Sequence, residues 1–479
     1  MRREQTPRTH PAVKTMTAPP STFRLARTEL AFHALAVTLL SALCLHFMVA
    51  ARAPVGAPQS DARVYVKLAL GLGEFAVFGR YDDADHPPAP AMDVAPLYPW
   101  FVAQLMKHDA PLRESLVCTI TRRGNDAPPC PQAFASLLWA QTTLLVVTLT
   151  LLWATAYAWA ARPLCAWAAW LLALTAGIVP EYASVFLTEA LTLPLGGLFT
   201  FALALLIKRH GTVWPAFMAG LALGLLSLTR PSFWYLLLAM TALSVMLVWV
   251  PRWRRAGAAL LLMCVMGGAV TAPWLLRNHA QFDRLTLSGG DYGGRSLMQR
   301  LAYNDMSLAE FGAAFIYWLP EWGDSLARAL LPPSSYRRLG WDDQHAFYRQ
   351  GVARMRADMQ AGVVKSEVDT LLRDEVLSHP IRHTRATLAL AWRGIFIGKT
   401  WGFVAWLCAA AVLWRGWQVR NFDYLLLCAP AWFLCLFQAA VSVSIPRYNL
   451  LLLPLLALAM GLQIDRYFGQ PSVVLGGGD

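Results

Sequence analysis

A chain of 479 residues that is 57% hydrophobic and only 15% charged, with a mean hydropathy of +0.42, is not an ordinary soluble domain, where about a quarter of the residues are charged. The composition fits a polytopic membrane protein, and many of the 20 Trp stand near the ends of apolar runs, as interfacial belts require. The net charge of +12 is spread over the N-terminal segment, short loops and one long polar segment, with no basic–aromatic cluster, so nucleic acid is not an expected partner.

Residues 1–29 form a basic, Pro-rich segment expected to be disordered and cytoplasmic. No small-residue cleavage site follows the first apolar run, which reads as a signal anchor. A span needs roughly 20 apolar residues. On that rule, spans are expected near 30–50, 133–160, 163–180, 185–207, 213–229, 231–250, 256–276, 398–414, 423–443 and 448–464. With the N-terminus inside, Arg162, Lys208, Arg209, Arg252, Arg254, Arg255, Arg415, Arg420 and Arg466 fall on the inner side, and the short outer turns hold only Arg230 and Arg447. This bias orients the bundle. The expected fold class is an all-α polytopic bundle: a membrane module over 30–277 with an external loop at 51–132, an external helical lobe at 278–397, a second membrane module at 398–464 and a cytoplasmic tail at 465–479.

The first external loop opens on Asp61 and carries an amphipathic run to Phe78, with Tyr65, Leu68, Ala69, Leu72 and Ala76 on one stripe. That is the pattern of an interfacial helix. Asp61 at its head is either a capping carboxylate or a general base, since both uses place an acid at a helix start. Asp82, Asp83, Asp85 and His86 fit a divalent cation by composition, but Pro87 and Pro88 mark a solvated loop and no metal is predicted. Residues 96–106 are too short to span. Cys118 and Cys130 lie in this polar loop, and either pair in an oxidising compartment or stay free. The other six Cys sit in apolar segments as small hydrophobes. Gly220 and Gly224 form a small-xxx-small pair suited to close helix packing.

In the second long segment, Phe347, Val352, Met355 and Met359 recur at helical spacing, as do Val364, Val368, Leu371, Leu372 and Val376 before His379-Pro380. The ionisable groups at the outer span ends are Asp61, Glu181, Glu189, Arg230, Arg277 and Arg447. They share one layer at the membrane surface, whereas secondary transporters keep their sites near the midplane. Glu189 is again either a helix-start acid capped by Thr188 or Ser184, or part of a site.

In chain order, Asp61, Pro96-Leu97-Tyr98-Pro99, Thr188-Glu189, Thr229-Arg230-Pro231, Pro273-Trp274 with Arg277-Asn278, His379-Pro380 and Arg447-Tyr448 with Pro454 resemble the GT-C superfamily of membrane glycosyltransferases. The group they are most similar to is that of protein O-mannosyltransferases and aminoarabinose transferases. The resemblance covers about residues 30–460. It implies an inverting transfer of a sugar from a polyprenyl-phosphate donor to a lipid, glycan or protein acceptor, on the periplasmic face of a bacterial inner membrane. It implies Asp61 and Glu189 as catalytic acids, with Asp61 the general base. Arg63, Arg230, Arg277 and Arg447 are the expected donor-phosphate ligands, and Tyr65, Tyr98 and Tyr292 the expected substrate contacts. No cofactor beyond the donor is expected. The chain departs from the family where Ala62 follows Asp61, since a second carboxylate often stands close by. The competing readings are a polysaccharide polymerase or ligase, and a transporter or flippase.

Overall fold

The computed structural model describes residues 26–52, 56, 58–122, 129–209, 212–289, 292–341, 343–360 and 368–469, the side chains of 292, 293 and 359 excepted. Most of 1–29 and of 465–479, and the apolar position Val364, lie outside the described residues. Among the described residues there is no strand, only an isolated bridge between Gly79 and Pro90.

The helices are α1 (Arg27–Ala50), α2 (Asp61–Phe75), α3 (Leu97–His108), α4 (Ala110–Thr121), α5 (Ala135–Ala160), α6 (Pro163–Thr175), α7 (Ile178–Glu181), α8 (Glu189–Lys208), α9 (Val213–Thr229), α10 (Ser232–Trp249) and α11 (Arg254–Phe282). Then come α12 (Tyr292–Leu301), α13 (Leu308–Tyr317), α14 (Gly323–Leu330), α15 (Pro333–Tyr336), α16 (Phe347–Gln360), α17 (Val368–Leu371), α18 (Pro380–Gly394), α19 (Thr400–Gln418), α20 (Asp423–Val441) and α21 (Leu452–Phe468).

Every predicted span contains a helix. Among the described residues, six helices are long and apolar enough to cross a membrane: Arg27–Ala50, Ala135–Ala160, Glu189–Lys208, Ser232–Trp249, Pro251–Phe282 and Asp423–Val441. On α1, Phe32, Leu35, Leu39, Leu43 and Phe47 are all exposed, an apolar face that lipid covers and water would not tolerate. The expected span at 163–180 is corrected. Helix α6 stops at Thr175, Gly177 takes a left-handed φ of +69°, and α7 is a single turn. Thirteen residues rise about 20 Å, short of a hydrocarbon core on their own.

The predicted interfacial helix is present but ends at Phe75, where Ala76 turns left-handed at φ +54°. The chain folds back so closely that a methyl on Gly71 would lie 2.2 Å from the Gly79 carbonyl oxygen. The buried residues are Ala62, Val66, Leu68, Ala69, Leu70 and Gly71, so the stripe is rotated from the expected one and Ala76 is exposed. This face packs on Tyr98, Val102, Ala103 and Met106 of α3. The Cys118–Cys130 disulfide ties the end of α4 to the entry of α5.

The helical lobe from α12 to α18 sits on one end of the bundle. Its fixing point is Arg300 of α12, which is fully buried. Nε donates to the Ala439 carbonyl of α20 at 3.0 Å, Nη2 to the His383 carbonyl at 2.9 Å and to Thr387 Oγ1 at 2.8 Å, and Nη1 to Asn304 Oδ1. Burial pulls its pKa down to about 9, so it keeps its charge at neutral pH. One side chain thus joins α12, α18 and α20. The helix expected to end at His379-Pro380 does so, as α17 and the π-helical turn Leu372–Leu377, but Pro380 also opens α18, which was not anticipated. It buries Ala386, Ala389 and Leu390.

Helices α9 and α11 meet at the glycine pair. A methyl on Gly220 would come within 2.3 Å of the Met263 carbonyl oxygen, and one on Gly224 within 2.8 Å of the Gly267 oxygen. Gly220→Val should therefore force the helices apart, at a cost of about 1–3 kcal/mol. Gly268→Ala, where an added methyl meets nothing, is the neutral control. Thermal unfolding in detergent should show a clear loss for the first variant and none for the second.

Candidate active site

Four chain segments deliver charge to one place. Helix α8 starts with Glu189, the α9–α10 turn supplies Arg230, the α20–α21 turn supplies Arg447, and α2 starts with Asp61. Glu189 is 2% exposed. Its Oε1 lies 3.6 Å from Arg230 Nη1 and 4.0 Å from Arg447 Nε. Arg447 then reaches outward, with Nη2 3.4 Å from Asp61 Oδ2. Arg230 Nη1 also donates to the Arg447 carbonyl at 3.3 Å, and both guanidinium groups lie over the Tyr448 ring, at 5.0 and 5.3 Å.

The two acids differ in exposure. The Asp61 side chain is 59% exposed and that of Glu189 3%. Neither acts as a helix cap. Ser60 holds the N-cap position of α2 with φ +50°, and Asp61 is the first helical residue. Thr188 makes no capping bond, and its hydroxyl instead lies 3.4 Å from Glu189 Oε2. Ser184 turns to the Glu181 carbonyl. The buried acid therefore holds the arginine pair, and the exposed acid faces solvent.

Tyr65 stands among these charges. Burial first, then the negative charge of Glu189, pushes its phenol up, with Arg230 and Arg447 opposing and Asp61 adding. It stays protonated at neutral pH. Tyr98 stacks edge-on against it at 5.5 Å but is itself fully buried, with its hydroxyl donating to Gln141 Oε1 at 3.1 Å. Gln141 Nε2 donates in turn to the carbonyls of Ala183 and Val185, at 2.9 and 3.1 Å. Tyr98 thus packs under Tyr65 with its hydroxyl already bonded. The Tyr292 side chain lies outside the described residues.

Two of the expected phosphate ligands are elsewhere. Arg277 Nη1 donates to the Ala91 carbonyl at 2.7 Å and to Asn278 Oδ1 at 2.8 Å, and Nη2 to the Phe78 carbonyl at 3.4 Å. Its guanidinium also lies 4.7 Å from the Trp274 ring. It clamps the first external loop to the end of α11. Arg63 donates to the Ile120 carbonyl at 3.1 Å, which joins α2 to α4. The acidic loop is likewise engaged: Asp82 pairs with Lys67, Asp83 Oδ1 accepts from the amides of Asp85 and His86, and Asp93 pairs with Arg80 at 2.7 Å. Among the described residues no group of three or more His, Cys, Asp or Glu could hold a metal ion.

Beside the cluster lies a cavity of about 540 Å³. Its lining includes Glu181, Tyr182, Phe396, Gly398, Lys399 and Arg447. Gln141, Tyr182 and Lys399 went unnoticed in the sequence. Gln141 had a signal, as the one amide side chain within α5.

No protein-family model matches the chain, and no curated protein matches it. Comparison with solved structures finds ArnT from Cupriavidus metallidurans bound to undecaprenyl phosphate, at 14% identity and a TM-score of 0.47, covering 92% of this chain and 61% of that one. It also finds the archaeal oligosaccharyltransferase AglB from Archaeoglobus fulgidus in complex with an inhibitory peptide and a dolichol-phosphate, at 13% identity and a TM-score of 0.48, covering 92% of this chain and 51% of that one. The chain thus spans between half and two thirds of the length of either, and the chemistry of the site is argued below from its own residues.

Arg277→Gln separates a loop clamp from a phosphate ligand. Loss of its three hydrogen bonds should lower stability by about 1–3 kcal/mol and raise protease sensitivity near residues 76–96. Unchanged stability and protease sensitivity in the variant would return Arg277 to the expected phosphate ligands.

Proposed function

We propose that the protein is a membrane glycosyltransferase that moves a sugar from a polyprenyl-phosphate donor to an acceptor hydroxyl at the outer membrane surface. The observation that carries this is the pairing of an exposed carboxylate with arginines held from behind by a buried one. Arg447 and Arg230 suit a phosphate because the guanidinium fork matches phosphate oxygens. Their placement by Glu189 before any substrate arrives supports electrostatic stabilisation of a leaving phosphate.

In the step, the bond between the anomeric carbon and the phosphate oxygen breaks, and its electron pair stays on that oxygen. The acceptor oxygen bonds to the opposite face of the same carbon and its proton passes to Asp61. This is one-step inversion. Retention would need a nucleophilic carboxylate about 5 Å from the other acid; here the Arg447 guanidinium contacts both acids, which favours the single base. A donor phosphate drawn to Arg447 competes with Asp61, whose single contact at 3.4 Å is the weaker hold. Donor binding then frees the base. The cluster's position at one end of the spans, not at the midplane, supports an enzyme over a transporter.

The expected orientation keeps both termini cytoplasmic, with 51–132 and 278–397 outside and the site on the periplasmic face of a bacterial inner membrane. A reporter fused after residue 340 should be active only outside the cytoplasm, and cytoplasmic activity would reverse the assignment.

Asp61→Asn preserves size while removing charge and basicity, and no cap is at stake because Ser60 holds the N-cap position. Sugar transfer from labelled polyprenyl-phosphate sugars in membranes should fall by roughly 10²–10⁴-fold at normal expression. Glu189→Gln should also reduce transfer, together with donor affinity, because Arg230 and Arg447 lose the charge that holds them. Near-normal transfer by a well-expressed Asp61→Asn protein would place the base elsewhere.

A further inference from the structure

The charge count around the cavity leaves no surplus of positive charge. Arg230 and Arg447 carry two positive charges, and Asp61 and Glu189 carry two negative ones. Glu181 adds a third negative charge on the cavity wall, and Arg52, which donates to the Gly177 carbonyl at 3.0 Å, adds a third positive one at its edge. A phosphate entering this space needs more positive charge than the cluster supplies. Among the described residues lining the cavity, the cations are Arg447 and Lys399.

Lys399 is held in an unusual way. Its backbone takes φ +58° and ψ −121°, directly after Gly398 at φ +68°. A side-chain-bearing residue pays for such a conformation, and these conformations gather where a function requires them. The turn is seated on the α6–α7 break, since a methyl on Gly398 would lie 3.2 Å from the Ala176 carbonyl oxygen. The Lys399 ammonium lies 3.5 Å from Glu321 Oε1, and Thr400 Oγ1 donates to Glu321 Oε2 at 2.6 Å. Glu321 belongs to the lobe and has φ +61° itself. Both side chains of this pair are at least half exposed. Such a pair is weak in water and readily exchanged for a better partner.

We propose that Lys399 is a second ligand for the donor phosphate, parked on Glu321 and transferred to the phosphate as the leaving group gains charge. This rests on the donor reading above and deepens it. A sugar phosphodiester carries one negative charge. When the carbon–oxygen bond breaks, the departing lipid monoester approaches two, because its second pKa lies near 6. A cation that binds the dianion better than the diester lowers the barrier, whereas one that binds both equally does not. Arg447 is already engaged by two carboxylates. Lys399, on a flexible stem with a replaceable partner, is free to follow the developing charge. Glu321 makes the lobe part of the site, since releasing Lys399 changes a contact between α19 and the lobe.

The test measures binding of two probes to the full-length protein in detergent: undecaprenyl phosphate, a dianion at pH 7.5, and its monomethyl ester, a monoanion. K399Q should weaken undecaprenyl phosphate about tenfold and the ester less than threefold. K399R should restore most of the loss, and E321Q should tighten the dianion severalfold by releasing Lys399. Equal binding by K399Q and the parent, an equal loss for both probes, or weaker dianion binding by E321Q would overturn the proposal. R447Q separates the two levels of the argument. If R447Q weakens both probes while K399Q weakens neither, only the Lys399 assignment fails. If the parent binds neither probe, or inorganic phosphate displaces the lipid at equal concentration, the lipid-linked donor reading itself fails and Lys399 with it.

Discussion

The site depends on one buried charge. Glu189 opens α8 with only 2% of its surface exposed, and a carboxylate in that position is costly unless positive charge meets it. Arg230 and Arg447 meet that demand from two separate helical hairpins. Satisfying Glu189 therefore fixes the α9–α10 turn, the α20–α21 turn and the head of α8 relative to one another. Asp61 is then received at the outer side of Arg447, where a polar group can still exchange with solvent. The arrangement is a stack: a buried acid, a layer of arginine, an exposed acid. Removing the lowest member disorganises those above it, and removing the topmost leaves the rest in place.

The same logic separates the two ends of the bundle. Helix α8 runs from Glu189 to Lys208 over 20 residues, about 30 Å. At the far end Lys208 pairs with Asp423 at 3.1 Å, and Arg162 pairs with Asp465 at the same distance. Those pairs join neighbouring helices, and neither touches the cavity or the Arg447 cluster. At the site end the lobe is fixed by Arg300, whose partners are two carbonyls, a hydroxyl and an amide oxygen, with no carboxylate among them. An arginine satisfied by such groups holds geometry without adding negative charge beside the site. That rigid seat gives Glu321 a defined position over Lys399.

Much of this was legible in the sequence. Apolar runs separated by basic turns located all ten predicted helical segments, usually to within a few residues, because lipid demands length and composition more strictly than water does. The membrane layer of Asp61, Glu189, Arg230 and Arg447 followed from the same runs. The break at Gly177 was less legible, because the residues around it are as apolar as a continuous span. Helix α18 was hidden for the opposite reason: its alternation of Arg, His and Ala reads as polar loop until α20 and Arg300 supply the surface it packs on.

Arg277 shows where such reading stops. It lies at an outer helix end, as Arg230 and Arg447 lie at outer turns, and it follows a Pro-Trp pair that resembles a family motif. Depth in the membrane is set by hydropathy, which a sequence carries. Direction around the helix axis is set by the partners on each side, which it does not carry. For Arg277 those partners are the Ala91 carbonyl and the Phe78 carbonyl, which also accepts from the Ala91 amide at 2.7 Å. Buried carbonyls need donors, and the nearest flexible donor supplies them. Tyr98 follows the same rule, with its hydroxyl taken by Gln141 while its ring supports Tyr65. A polar residue at the right depth is therefore a candidate only until the backbone around it has been satisfied; Asp61 and Lys399 are held instead by exposed ion pairs, to Arg447 and to Glu321.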